Sequence, residues 1–165
     1  LPEAPDLHEI WSRICAHELA VEHAQTYPAQ RDAYGAALAG MIEQGAAISR
    51  WQYEADRQRQ AEITTAWGQL FEEVDWLALP IHATVSPELD NSLGAPNSGA
   101  GNPLLFTAPG NVTGLPCLAL PMGIDQRGCP IGMQIMACTG ADFALLDLGG
   151  RLQARSLPPV SLLMG

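Results

Sequence analysis

The chain has 165 residues, enough of them apolar for one real core, and a formal charge of −10 from 18 acidic and 8 basic side chains. That balance excludes a nucleic-acid partner, whose phosphates call for a basic face, and an anionic membrane surface. Every basic residue is an arginine, so a Schiff base, a lysine general base and a P-loop lysine are excluded for these residues acting alone.

The opening "LPEAPDLHEI" lacks methionine and points to processing or truncation. Leu7, Ile10, Trp11 and Ile14 then recur at i, i+3, i+4, i+7, the stripe of an amphipathic helix. "HELAVEH" (17–23) invites a zinc-protease reading, but its histidines are six apart and the motif needs four, so a solvated helix face is expected. Pro28 suits the first turn of a second helix, with Tyr34, Ala37, Leu38 and Met41 as its stripe and Gly45 at its stop. Ser49 with Gln52 three residues on reads as a capping box opening a third helix. Its apolar face holds Ile63, Ala66, Trp67, Leu70, Phe71 and Val74, and "EADRQRQAE" reads as solvated.

The period then changes. "WLALP" (76–80) is a short buried strand ended by proline. Residues 81–103 form a long loop rich in glycine and proline. His82 stands just after the strand, where active-site groups often gather. "APNSGAG" (95–101) is not a nucleophile elbow, since that motif needs glycine where Pro96 stands. "CLALP" (117–121) and "PIGMQIM" (130–136) read as two strands joined by the turn "GIDQRG". "NVT" (111–113) is a glycosylation sequon that is discounted for want of a secretory signal. "ADFALLDLGGRLQARS" returns to helical spacing through Leu145, Leu148 and Leu152, and "LPPVSLLMG" fits no element. Cys15, Cys117, Cys129 and Cys138 form no Cys-x-x-Cys pair and no zinc pattern, so buried reduced thiols are expected. With no signal peptide and no membrane-length apolar run, a cytoplasmic location is expected. Helices alternating with apolar strands give an α/β class, with a sheet that looks incomplete.

"TAPGNVTGLPCLALPMG" followed by "GCPIGMQIMA" resembles the C-terminal part of the amidase signature family. The matching positions are Thr107, Asn111, Gly114, Pro116, Pro121 and Gly123, then Gly128, Pro130, Gly132 and Gln134. Upstream, Gly45, the run Tyr53, Ala55, Arg59 and the strand ending at Pro80 fit the same pattern, so the resemblance covers roughly residues 25–155. It implies a partial α/β/α sandwich around a mixed sheet. Residues 1–155 would form the C-terminal part of an amidase domain and 156–165 an unassigned tail.

The resemblance implies amide C–N hydrolysis by a Ser-Ser-Lys mechanism, without metal or organic cofactor. Its catalytic residues lie outside the matched region, so none is carried over and the chain alone is expected to be inactive. Leu104 and Thr107 are implied as substrate-pocket candidates. Relatives acting on charged transfer RNA tend to carry an acid where Leu104 stands, which disfavours that branch. The glycines and prolines of the matched stretch read as scaffold: Pro116 and Pro121 bracket a strand, Gly132 admits a packed helix, and Asn111 bonds backbone near a helix end. The expected partner is an amide substrate in the full-length enzyme, and open strand edges leave room for a homo-oligomer. The alternative is a non-catalytic remnant or interaction module on the amidase scaffold. A third reading is an unrelated enzyme using His82.

Overall fold

The computed structural model describes residues 1–83 and 104–156. The loop glycines and prolines from Pro87 to Pro103, "APNSGAG" and the tail "LPPVSLLMG" lie outside the described residues. The chain forms two compact units, Leu1–Trp67 and Gly68–Gly165.

The first unit is helical. Helix α1 (Leu7–Glu22) buries Leu7, Ile10, Ile14 and Ala16. The expected second helix is broken in two. Helix α2 (Tyr27–Gln30), with proline in its first turn, runs into a 3-10 turn (Arg31–Ala33). Tyr34 and Gly35 are extended before helix α3 (Ala36–Ala46) begins. The buried face of α3 is Ala39, Ile42 and Gly45, while Leu38 and Met41 are exposed. Small residues win this face because α3 lies against α1. A Cβ on Gly45 would fall well inside van der Waals contact of the Ala16 carbonyl. Gly45 therefore acts as a contact residue inside the helix, not as its stop.

Helix α4 (Arg50–Glu73) starts as the sequence predicts: Ser49 Oγ accepts the Gln52 N–H at 3.1 Å. The reciprocal half of the box is absent, because the Gln52 amide donates instead to Asp56 at 3.2 Å. Asp56 is only 3% exposed and takes a bidentate pair from Arg13 of α1, at 2.8 and 2.6 Å. Arg59 makes a second bidentate pair, to Asp6, at 2.8 and 3.1 Å. The "EADRQRQAE" run is thus not wholly solvated. It sends two charges across, Asp56 to Arg13 within α1 and Arg59 to Asp6 just before that helix.

The second unit is layered. Strands β1 (Leu77–Pro80), β2 (Cys117–Ile124) and β3 (Pro130–Met136) pair in the order β1-β3-β2. Both pairings are antiparallel, so among the described residues no parallel pair occurs. Leu118 lies opposite Ile135 and Leu120 opposite Met133, on one face of the pleat. Helix α6 (Asp142–Ser156) packs there through Leu145, Leu148 and Leu152. A short helix α5 (Ala108–Thr113) covers the opposite face, its Gly110 against Cys117 and Met136. Helix, sheet, helix is the α/β layering that the sequence implies.

Three expectations about the motif change. Strand β2 continues through Pro121 to Ile124, with a register irregularity between Pro121 and Gly123. The proline is tolerated because β2 is an edge of the described sheet and needs no N–H on its outer side. Gly132 admits the Ile81 side chain, not a helix: a Cβ there would meet Ile81 Cδ1 at 2.6 Å. The glycines that let helix and sheet approach closely are on the helices, Gly110 of α5 and Gly149 of α6, the latter nesting on Leu118. The cysteines are free as expected but not buried: Cys117 and Cys138 are exposed and Cys15 and Cys129 half-buried.

Candidate functional site

The sheet face under α5 carries a cleft of about 290 Å³ lined by Thr107, Gly110, Asn111, Leu115, Cys117 and Gln134. Its construction follows from local sequence. Pro109 sits in the first turn of α5, and Gly114 ends the helix with φ +69°, a left-handed conformation that glycine adopts without strain. The chain then drops through Leu115 and Pro116 onto β2. Register places Cys117 opposite Met136 and Ala119 opposite Gln134, so the Cys117 and Gln134 side chains share the face beneath α5.

Hydrogen bonds tie the wall together. Asn111 Nδ2 donates to the Thr107 carbonyl at 3.0 Å, the backbone role near a helix end that the sequence predicts. Gln134, 4% exposed, donates through Nε2 to the Phe106 carbonyl and so pins the turn before α5 to the sheet. Thr113 Oγ1 donates to the Pro109 carbonyl at 2.7 Å. The Cys117 thiol donates to the Leu115 carbonyl at 3.4 Å, and although the residue as a whole is exposed, partial desolvation of its sulfur pushes the pKa up.

Of the two residues expected at a pocket, Thr107 lines this cleft. Leu104 lies one turn earlier, 40% exposed, and its carbonyl accepts the N–H groups of Thr107 and Ala108 at 3.2 and 2.9 Å. Sequence reading missed Leu115 and Cys117 and took Asn111 and Gln134 as scaffold only. Two-residue alternation gives the faces within each strand, and only the β2–β3 register sets Cys117 and Gln134 on the same one. His82 is exposed beyond the end of β1 and does not line the cleft. His17 stacks on Tyr53 with centroids 4.4 Å apart, and His23 Nδ1 is 3.0 Å from the Tyr34 hydroxyl. Among the described residues no group of three or more His, Cys, Asp or Glu could hold a metal ion.

The Amidase family model matches residues 7–146, across both units. This chain belongs to the amidase family. The family match takes in the whole cleft. An amidase-described protein of Mycobacterium tuberculosis, AmiD, is 34% identical over 152 residues, covering 88% of this chain and 32% of its own length. A 6-aminohexanoate-cyclic-dimer hydrolase of Paenarthrobacter ureafaciens is 42% identical over 64 residues, covering 39% of this chain and 13% of the relative. Among solved structures, one amidase superposes with a TM-score of 0.82 at 24% identity, over 93% of this chain and 36% of that one. This structural likeness speaks to the amidase fold alone. The chain spans about a third of the length of the first of these relatives.

Proposed function

We propose that this chain is the C-terminal segment of an amidase-signature hydrolase that cleaves amide C–N bonds by a Ser-Ser-Lys mechanism. The nucleophile, bridging serine and base lie outside these 165 residues. Residues 1–155 form the C-terminal part of one amidase domain, and Leu104 and Thr107 belong to the wall facing the substrate. The observation that carries this is the lysine-free sequence of a chain that spans about a third of its amidase relatives. A mechanism that uses lysine as base cannot be completed from such a chain. Thr107 on the cleft supports its role. The acidic charge supports a cytoplasmic protein without nucleic-acid or membrane-surface partners, and no described helix is long and apolar enough to cross a membrane.

The experiment is an immunoblot of source cells with an antibody to this chain, joined to an amide-hydrolysis assay of the isolated chain. The expected results are a native product much larger than 17.6 kDa and no turnover by the isolated chain. A product of 17.6 kDa overturns the segment reading and favours the alternative, a non-catalytic module on the amidase scaffold. Turnover by the isolated chain overturns the placement of the catalytic residues.

A further inference from the structure

Among the described residues, the sheet of the second unit ends on both sides in an open strand, β1 and β2. Backbone bonds fix which groups each edge presents. The Ala137 N–H donates to the Pro116 carbonyl at 3.1 Å, and the Ile81 N–H to the Gly132 carbonyl at 3.3 Å. Successive residues of a strand bond to opposite sides. With the two registers, Pro116, Leu118 and Leu120 therefore bond inward to β3, while Cys117, Ala119 and Pro121 point outward. On β1 the outward residues are Ala78 and Pro80. Proline has no N–H, so the β1 edge offers only that of Ala78, whereas β2 offers those of Cys117 and Ala119. Natural edge strands are guarded by charge, proline or irregularity. From Cys117 to Ile124 no side chain is charged, and Cys117, Ala119 and Pro121 are exposed. The guards that β2 has, Pro121 and the register irregularity after it, lie beyond both free N–H groups.

We propose that the β2 edge pairs antiparallel with the β2 edge of a second copy of this chain, joining their sheets into one. The edge is complementary to itself. Its N–H and carbonyl groups alternate, so an antiparallel copy aligned over Cys117–Pro121 meets donor with acceptor in both directions, and each copy donates both free N–H groups. Helix α6 favours a second copy over a lone strand. It packs over β2, its Gly149 against Leu118 and Leu120. The two-fold axis of an edge-to-edge pair is perpendicular to the sheet, so both α6 helices come to the same face. Phe143 and Leu146, on the uncovered side of α6, are 87% and 58% exposed. Gly150, one turn after Leu146, has nothing within 4 Å of an added Cβ. A second α6 covers this apolar surface, and an isolated strand does not. Two copies at −10 repel, so an uncharged seam is strengthened when salt screens that repulsion.

Sedimentation equilibrium of the 165-residue chain under reducing conditions tests this. The expected mass is twice 17.6 kDa at about 100 μM chain, with a dimer that tightens as NaCl rises from about 0.05 to 0.5 M. Ala119→Pro removes an outward N–H without touching a bond to β3, so it keeps the far-UV circular dichroism and raises the dimer Kd by about 10-fold or more. Ala119→Glu sets like charges together at the seam and has the same effect, which decides the matter should the proline disturb β2. Ala78→Pro, the equivalent change on β1, leaves the Kd unchanged. A monomer at about 100 μM, its edge left for a strand from elsewhere in an amidase domain, overturns the proposal. So does a dimer that persists in a folded Ala119 variant, that Ala78→Pro dissolves or that salt loosens. Open-ended assembly overturns it as well, because an isologous edge closes at the dimer. The readout is mass without turnover. Its failure is therefore distinct from failure of the hydrolase reading, which the immunoblot and amide assay decide.

Discussion

Gly45 and Gly40 sit on one helix and make opposite predictions. A methyl group at Gly45 would drive into the Ala16 carbonyl, and backbone cannot step aside as a side chain can. Gly45→Ala is expected to destabilise the first unit by about 2–4 kcal/mol, the upper range for overpacking. At Gly40 nothing lies within 4 Å of an added Cβ, so Gly40→Ala should stabilise by roughly 0.5–1 kcal/mol through helix propensity. Urea denaturation of the two variants checks both signs. Asp56 offers a second test at this scale. Its carboxylate is buried, and Arg13 is 29% exposed and bound in the bidentate pair. Asp56→Ala leaves that guanidinium half-covered and without its main partner. The expected loss is about 2–4 kcal/mol, somewhat less than for a wholly buried pair because water reaches Arg13.

At the scale of elements, the β2–β3 hairpin depends on one carboxylate. Asp125 Oδ1 accepts the N–H groups of Arg127 and Cys129, both at 2.8 Å, while Gly128 turns the chain at φ +82°. The Cys129 N–H, followed by the Arg127 backbone and guanidinium, holds the Asp125 pKa below its ordinary 3.8. Asp125→Ala should lower the urea midpoint of the second unit, and Asp125→Asn should lower it less, since the amide oxygen still accepts. The packing of α6 on β2 is softer than that of α3 on α1. A Cβ at Gly149 would meet the tip of the Leu118 side chain, which can rotate away. Gly149→Ala is therefore expected to cost about 1 kcal/mol or less, read by thermal unfolding.

At the scale of the molecule, acid should destabilise both units. In the first, the Arg59 hydrogen bond lowers the Asp6 pKa, and Tyr27 with Arg31 lowers that of Glu43. In the second, Asp125 is lowered by the hairpin. A carboxylate with a folded pKa below its unfolded value stabilises fully above the unfolded value, and that stabilisation is lost as pH falls toward the folded one. The unfolded values here are 3.8 for aspartate and 4.5 for glutamate. Stability should therefore hold down to about pH 5 and fall steadily below it. A urea-midpoint series against pH measures this, and a flat profile between about pH 5 and 3 would count against these three pairs.

By itself the sequence determined the family, the α/β class and most of the elements. Those features are written in short-range chemistry: apolar spacing, a serine cap at Ser49, and the glycine–proline pattern from Thr107 to Gln134. It also determined that no lysine chemistry is available to these residues. Tertiary structure alone decided which face of a helix is inside. The stripe Tyr34, Ala37, Leu38, Met41 is the more hydrophobic, yet Ala39, Ile42 and Gly45 are buried, because close approach of two helices rewards small side chains over large ones. The same holds for charge. Asp56 reads as solvated until Arg13, forty-three residues away, is brought onto it. The cleft is likewise a tertiary object. Asn111 and Gln134 read as scaffold in the sequence, and only the pairing of β2 with β3 under α5 makes two hydrogen-bonded amides line one small space. Pair distances across the chain carry that information, and no local pattern of residues encodes them.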